Sequence, residues 1–136
     1  MYFGKYAILG EIKHSFEMEP DWWWKIKPIT SGIELEMSIF MGHDRIVSTR
    51  EGRKEQPPTN MEIAFREVAL SFGGTNIPAD PEKPVEEGGQ PFIETGQPVE
   101  LIEKALREMP RDMFMEIWKA VGEAYPYWGP ADPNIL

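Results

Sequence analysis

The chain of 136 residues contains no cysteine. A disulfide framework, a thiolate zinc site and a cysteine nucleophile are thereby excluded, and the composition fits a reducing compartment. Histidine is nearly as scarce. His14 and His43 are the whole supply, neither stands in a Glu-x-x-His or His-x-x-x-His spacing, and adjacent residues such as His43 and Asp44 rarely converge on one ion. No Gly-x-Ser-x-Gly elbow offers a serine nucleophile, and Gly73-Gly74-Thr75 lacks the lysine of a phosphate loop. The expectation is a protein without metal or cofactor that is not an enzyme. Long apolar runs are missing as well, as is a charged-then-apolar leader, so the chain reads as a soluble cytoplasmic protein with no membrane partner. Positive charge is in deficit, with 14 Lys and Arg against 23 Asp and Glu and a net charge of −9. That balance disfavours nucleic acid, whose phosphates need clustered cations, and favours basic protein partners.

Apolar residues make up 41% of the chain, including eight Met and five Trp, which is enough for one folded domain. Thirteen Pro and twelve Gly predict long irregular connections. Residues 1–29 read as an N-terminal β element belonging to that domain. Ile12, His14, Phe16 and Met18 alternate with Glu11, Lys13, Ser15 and Glu17, and Tyr2 to Leu9 is rich in aromatic and β-branched residues, so the spacing predicts a hairpin around Gly10. In Trp22-Trp23-Trp24-Lys25-Ile26, residues 22, 24 and 26 share one face of a short extended segment. Trp23 then points away from its neighbours.

Four helices are predicted within a helical region at 30–125. Ser31 and Glu34 have capping-box spacing and open a helix at 31–42; Thr59 and Glu62 repeat the box for a helix at 59–73 that ends on Gly73-Gly74. Pro98 starts a helix at 98–109, and Pro110 both ends it and starts the last one at 110–125. Acid-before-base pairs at i,i+4 are Glu62 with Arg66, Glu100 with Lys104, and Glu103 with Arg107. The connections at 43–58 and 77–97 are expected to be loops, the first locally basic through Arg45, Arg50, Arg53 and Lys54, the second acidic. A Pro-rich tail covers 126–136. The fold class is therefore mainly α: about four helices in a small compact domain with a short β element and long Pro/Gly-rich loops.

Two segments carry more apolar surface than one core requires. In the last helix Met113, Ile117, Trp118 and Val121 share a face, while Met115 and Ala120 lie on the other side. Methionines there suit an adaptable groove, and Trp23 suits a rigid aromatic anchor. Both features also fit a core. The reading taken here places Trp23, Met115 and Trp118 at a partner or self-association surface, with Arg45, Arg50 and Arg53 on its rim.

The order of Trp24-Lys25-Ile26-Lys27-Pro28-Ile29-Thr30-Ser31-Gly32 leading into a short acidic helix, then Glu62-Ile63-Ala64 within an amphipathic helix, then a helical half closing on Pro126-Tyr127-Trp128-Gly129-Pro130, resembles small phage or prophage tail assembly chaperones. That resemblance implies a protein-binding factor acting on a tape-measure or tail tube protein in a bacterial host cytoplasm, without catalytic residues. A structural virion or adaptor protein is the alternative, and an acidic mimic of nucleic acid is the competing class, motivated by the charge alone.

Overall fold

A computed structural model describes residues 11–131. Five strands and four helices alternate along it: β1 (Ile12–Ser15), β2 (Trp23–Ile26), α1 (Ser31–Gly42), β3 (Arg45–Thr49), β4 (Gly52–Gln56), α2 (Asn60–Leu70), β5 (Phe72–Thr75), α3 (Val99–Leu106) and α4 (Arg111–Ala124). About 40% of the described residues are helical and 20% are strand, in two antiparallel sheets. This is an α/β fold, which corrects the expectation of a mainly α one. The four helices are present, but two further strand-bearing segments accompany them.

The first of these is β5. Gly73-Gly74 reads as a helix stop, yet the chain continues past Ser71 directly into a strand that pairs with β2, giving a sheet of order β1-β2-β5. The strands approach closely there, since a Cβ on Gly73 would stand 3.2 Å from the Lys25 carbonyl oxygen, a tight contact that glycine avoids. The second is the segment at 43–58, which is a hairpin and not an irregular loop. Arg45 faces Gln56, Val47 faces Lys54 and Thr49 faces Gly52 across it. Charged side chains on β4 hide the strand period, and the turn is closed by Thr49 Oγ1 donating to the Gly52 carbonyl at 2.8 Å. The proposed partner of β1 within residues 2–9 lies outside the described residues, as does the end of the tail; among the described residues, β1 pairs with the Trp-bearing β2.

The 77–97 segment is a packed connection. Phe92 N–H donates to the Ile77 carbonyl at 2.6 Å and Ala79 N–H to the Gln90 carbonyl at 2.9 Å, so the segment folds back on itself around a 3-10 turn at Val85–Glu87. Ile77 and Ile93 are buried in the core. Asn76 anchors its start: the side chain accepts from Trp23 N–H at 2.7 Å and donates to the Asp21 carbonyl and to Glu86.

Caps follow residue chemistry with small shifts. Thr59 caps α2, its hydroxyl oxygen accepting from Glu62 N–H at 3.2 Å. Thr30, one residue ahead of the expected Ser31, caps α1 by accepting from Ile33 N–H. Pro98 and Pro110 sit at the N-cap, just outside α3 and α4, and α3 ends at Leu106. The expected i,i+4 pair of Glu62 and Arg66 is replaced by tertiary ones. Arg45 reaches Glu62 at 2.5 Å, and Arg66 bridges from α2 to Glu103 at 2.9 Å and Glu100 at 3.8 Å on α3.

The core lies between the inner face of the three-stranded sheet and the helices. Trp24 and Ile26 enter it from β2, Ala64 and Val68 from α2, Ile102 and Leu106 from α3, and Phe114, Ile117 and Val121 from α4. After α4 the chain turns back at Tyr125, and Trp128 joins the same core. Gly129 (φ +86°) then rests on Gly122 so closely that a Cβ on Gly122 would stand 2.9 Å from the Trp128 carbonyl oxygen and 3.1 Å from Gly129 Cα. Alanine normally stabilises a helix interior relative to glycine by about 1 kcal/mol. Here Gly122→Ala is expected to reverse that sign and to destabilise by about 1–3 kcal/mol through overpacking, measurable as a lowered urea midpoint at unchanged m-value.

Candidate protein-binding site

The sequence-selected residues are not brought together. Trp23 lies half-buried on the outer face of the sheet, with the Lys13 and Lys25 ammonium groups 5.1 and 4.9 Å from its ring centroid. Met115 is buried in the core, not exposed. Trp118 is partly buried, and its indole N–H donates to Glu67 Oε1 at 2.8 Å. The physical reason is that α4 has two neighbours, α2 on one side and β1 on another, so its wide apolar circumference is covered twice. Arg45, Arg50 and Arg53 lie on the β3–β4 hairpin, where Arg45 is held by Glu62 and the other two are exposed.

A further part of α4 remains open. Its first turns present Asp112, Met113 and Glu116 on the side facing the β1–β2 connection, at helical spacing that puts all three on one face. The connection itself is pinned in place. Phe16 N–H donates to the Trp22 carbonyl at 3.2 Å and Trp22 N–H to the Glu19 carbonyl at 2.9 Å, which closes a compact turn over residues 16–22. Glu116 fastens that turn to α4, accepting from His14 Nε2 at 2.5 Å and from Glu17 N–H at 3.2 Å through the same oxygen. His14 also meets the Phe16 ring edge-on, with centroids 5.5 Å apart.

Between these two walls is a cavity of about 250 Å³ lined by Phe16, Met18, Glu19, Pro110, Asp112, Met113 and Glu116. Met18 is 90% exposed. The lining joins apolar side chains to the carboxylates of Glu19 and Asp112, Glu116 being bonded already to His14, and such carboxylates raise the local concentration of cations and repel acidic chains. Methionine walls adapt to the shape of the side chain that enters. Met113 was legible as a candidate groove residue from its helical spacing, whereas Phe16, Met18 and Glu19 carried only an alternating strand signal, and nothing in sequence spacing joins residue 18 to residue 113.

A second cleft, of about 420 Å³, runs beside Trp23 over Gly73, Gly74 and Thr75 to Pro91 and Thr95. Its walls are largely polar, and the cations Lys13 and Lys25 are already engaged by the Trp23 ring, Lys25 also lying 3.9 Å from Glu11. Among the described residues no group of three or more acidic or histidine side chains is placed to hold a metal ion, and no helix is long and apolar enough to cross a membrane. No family model matches the chain, and neither the curated proteins nor the solved structures contain a match to it.

Proposed function

We propose that this chain is a non-catalytic protein-binding factor that holds a basic segment of its partner by one bulky apolar side chain. The observation that carries the reading is the Phe16–Met18–Met113 cavity with the carboxylates of Glu19, Asp112 and Glu116 in its lining. Cationic flanks supply steering and orientation, and burial of the anchor supplies most of the affinity. Within that class, a phage or prophage tail assembly chaperone attending a tape-measure or tail tube protein is the version the layout of residues 22–130 supports; a structural virion or adaptor protein would use the same cavity.

The test is a titration with short peptides carrying a single Leu, Phe or Trp flanked by lysines, alongside the same peptides flanked by glutamates. The lysine-flanked set is expected to bind and the glutamate-flanked set not to. Met18→Ser, at an exposed position, should weaken binding about tenfold without changing the urea midpoint, and Glu19→Lys with Asp112→Lys should abolish it. Binding that depends only on salt and is indifferent to Met18 and Met113 would point instead to an acidic mimic, whose contacts need no apolar anchor.

A further inference from the structure

Methionine supplies all the sulfur in this chain. Eight methionines stand against no cysteine, so no thiolate is there to take up a two-electron oxidant before a thioether does. The fold ranks those thioethers by access. Met37, Met109 and Met115 are buried in the core and Met113 is partly buried, whereas Met41 and Met61 are 51% and 40% exposed and Met18 is 90% exposed. Met1 lies outside the described residues. Oxidation of a thioether follows its exposure, which puts Met18 first.

Met18 differs from Met41 and Met61 in where it stands. It belongs to the turn that Phe16, Glu19 and Trp22 close through their backbone, and that turn is fastened to α4 where Glu17 N–H donates to Glu116. Its side chain lines the cavity together with Phe16, Pro110 and Met113. Every ionisable group in the same lining, at Glu19, Asp112 and Glu116, is a carboxylate. A sulfoxide oxygen accepts hydrogen bonds and donates none, and ionised carboxylates are acceptors only. No side chain of the lining therefore donates to such an oxygen when an incoming group displaces its water, and an acceptor buried without a donor is costly.

We infer that Met18 is a peroxide-sensitive modification site, and that its oxidation to the sulfoxide shuts the cavity to an apolar anchor. In that step a lone pair on the Met18 sulfur attacks one oxygen of hydrogen peroxide. The S–O bond forms, the O–O bond breaks, sulfur gives up two electrons, and the second oxygen leaves as water with both protons. The product replaces a flexible apolar wall by a polar one. Affinity falls while the fold stays intact, because the oxidised group stands in water in the free protein. The effect on binding rests on the function proposed for the cavity; the order in which the methionines oxidise does not.

Graded treatment of the full chain with hydrogen peroxide, followed by peptide mass mapping, tests the order. Met18 is expected to gain its oxygen ahead of Met41 and Met61 and roughly tenfold or more faster than Met37, Met109 and Met115. The chain oxidised at Met18 is then titrated with the lysine-flanked peptides. Binding should be about tenfold weaker at an unchanged urea midpoint, and methionine sulfoxide reductases should restore it. Met18→Leu, which keeps an apolar wall without sulfur, should bind the peptides and hold its affinity through the same treatment. Oxidation of Met18 no faster than that of the buried methionines overturns the inference. So does a Met18 sulfoxide that binds as tightly as the parent, or a Met18→Leu chain that loses affinity as the parent does. An untreated parent that binds no lysine-flanked peptide overturns the reading of the cavity, and the shutting of it falls with that reading.

Discussion

Replacing Trp24 by alanine is expected to cost about 3–5 kcal/mol of unfolding free energy, a large share of the roughly 5–15 kcal/mol that holds a domain of this size together. The ring is fully buried, lies 4.8 Å from the Phe72 ring centroid-to-centroid, and fills the junction of β2 with β5 and the helices. Its backbone pairs with His14 on one side and Thr75 on the other, so a cavity there loosens all three strands. Trp24→Phe should cost much less than alanine, because the indole N–H is buried without a hydrogen-bond partner and phenylalanine removes that unsatisfied donor. Trp23→Ala, one residue away on the outer face, should stay within about 1 kcal/mol. Urea denaturation of the three variants checks the order; equal losses for Trp23 and Trp24 would show that the two faces of β2 are not as distinct as their burial.

The second large effect is expected at Glu67. One oxygen of this buried side chain, Oε1, accepts from Trp118 Nε1 on α4 at 2.8 Å and from Gly129 N–H at 3.0 Å, so a single carboxylate ties α2 to α4 and to the returning C-terminal segment. Glu67→Ala leaves both donors without an acceptor and should cost about 2–3 kcal/mol. Glu67→Gln retains an oxygen with two lone pairs where Oε1 stood, and should be close to neutral. The two substitutions therefore separate the hydrogen bonds from the charge. Burial pushes the Glu67 carboxyl above the ordinary carboxylate range, outweighing the lowering by its bonds to Trp118 and Gly129. The folded chain then binds this proton more tightly than the unfolded chain does. Its contribution favours folding in acid and is lost as pH rises through the raised pKa, so Glu67→Gln should gain on the parent from weakly acidic to neutral pH. A difference between them that is flat across that range would mean the carboxylate pays no desolvation cost.

Local chemistry made the helices readable. The threonine before α2, the prolines before α3 and α4 and the 3.6-residue apolar stripes act within one turn of chain, and the structure moves their boundaries by only a few residues. The strands were harder. In the β3–β4 hairpin the adjacent Ile46 and Val47 are followed across the Arg50-Glu51 turn by Arg53, Lys54 and Glu55, so no apolar period exists to detect, and the turn pair carries no Asn-Gly or Asp-Gly signal. In β5 a run of two glycines has no side-chain period at all, and only its pairing with β2, some fifty residues earlier, makes it a strand. The candidate site failed to show for the same reason: Met18 and Met113 meet through the tertiary clamp of Glu116 on the β1–β2 turn. The apolar circumference of α4 is wider than one neighbour covers, and its second neighbour, β1, cannot be inferred from spacing.

The link from Glu67 to Gly129 spans 62 positions of chain, and that to Trp118 spans 51. Contacts of such separation close late, since the entropy of a long loop must be overcome before they reward it. During synthesis α2 is complete well before either donor has left the ribosome. Over that interval Glu67 faces water, α2 has no α4 to pack against, and β5 can already pair with β2. The sheet is thus free to form before the Trp128-Gly129 segment returns to α2 and gives Glu67 its second donor.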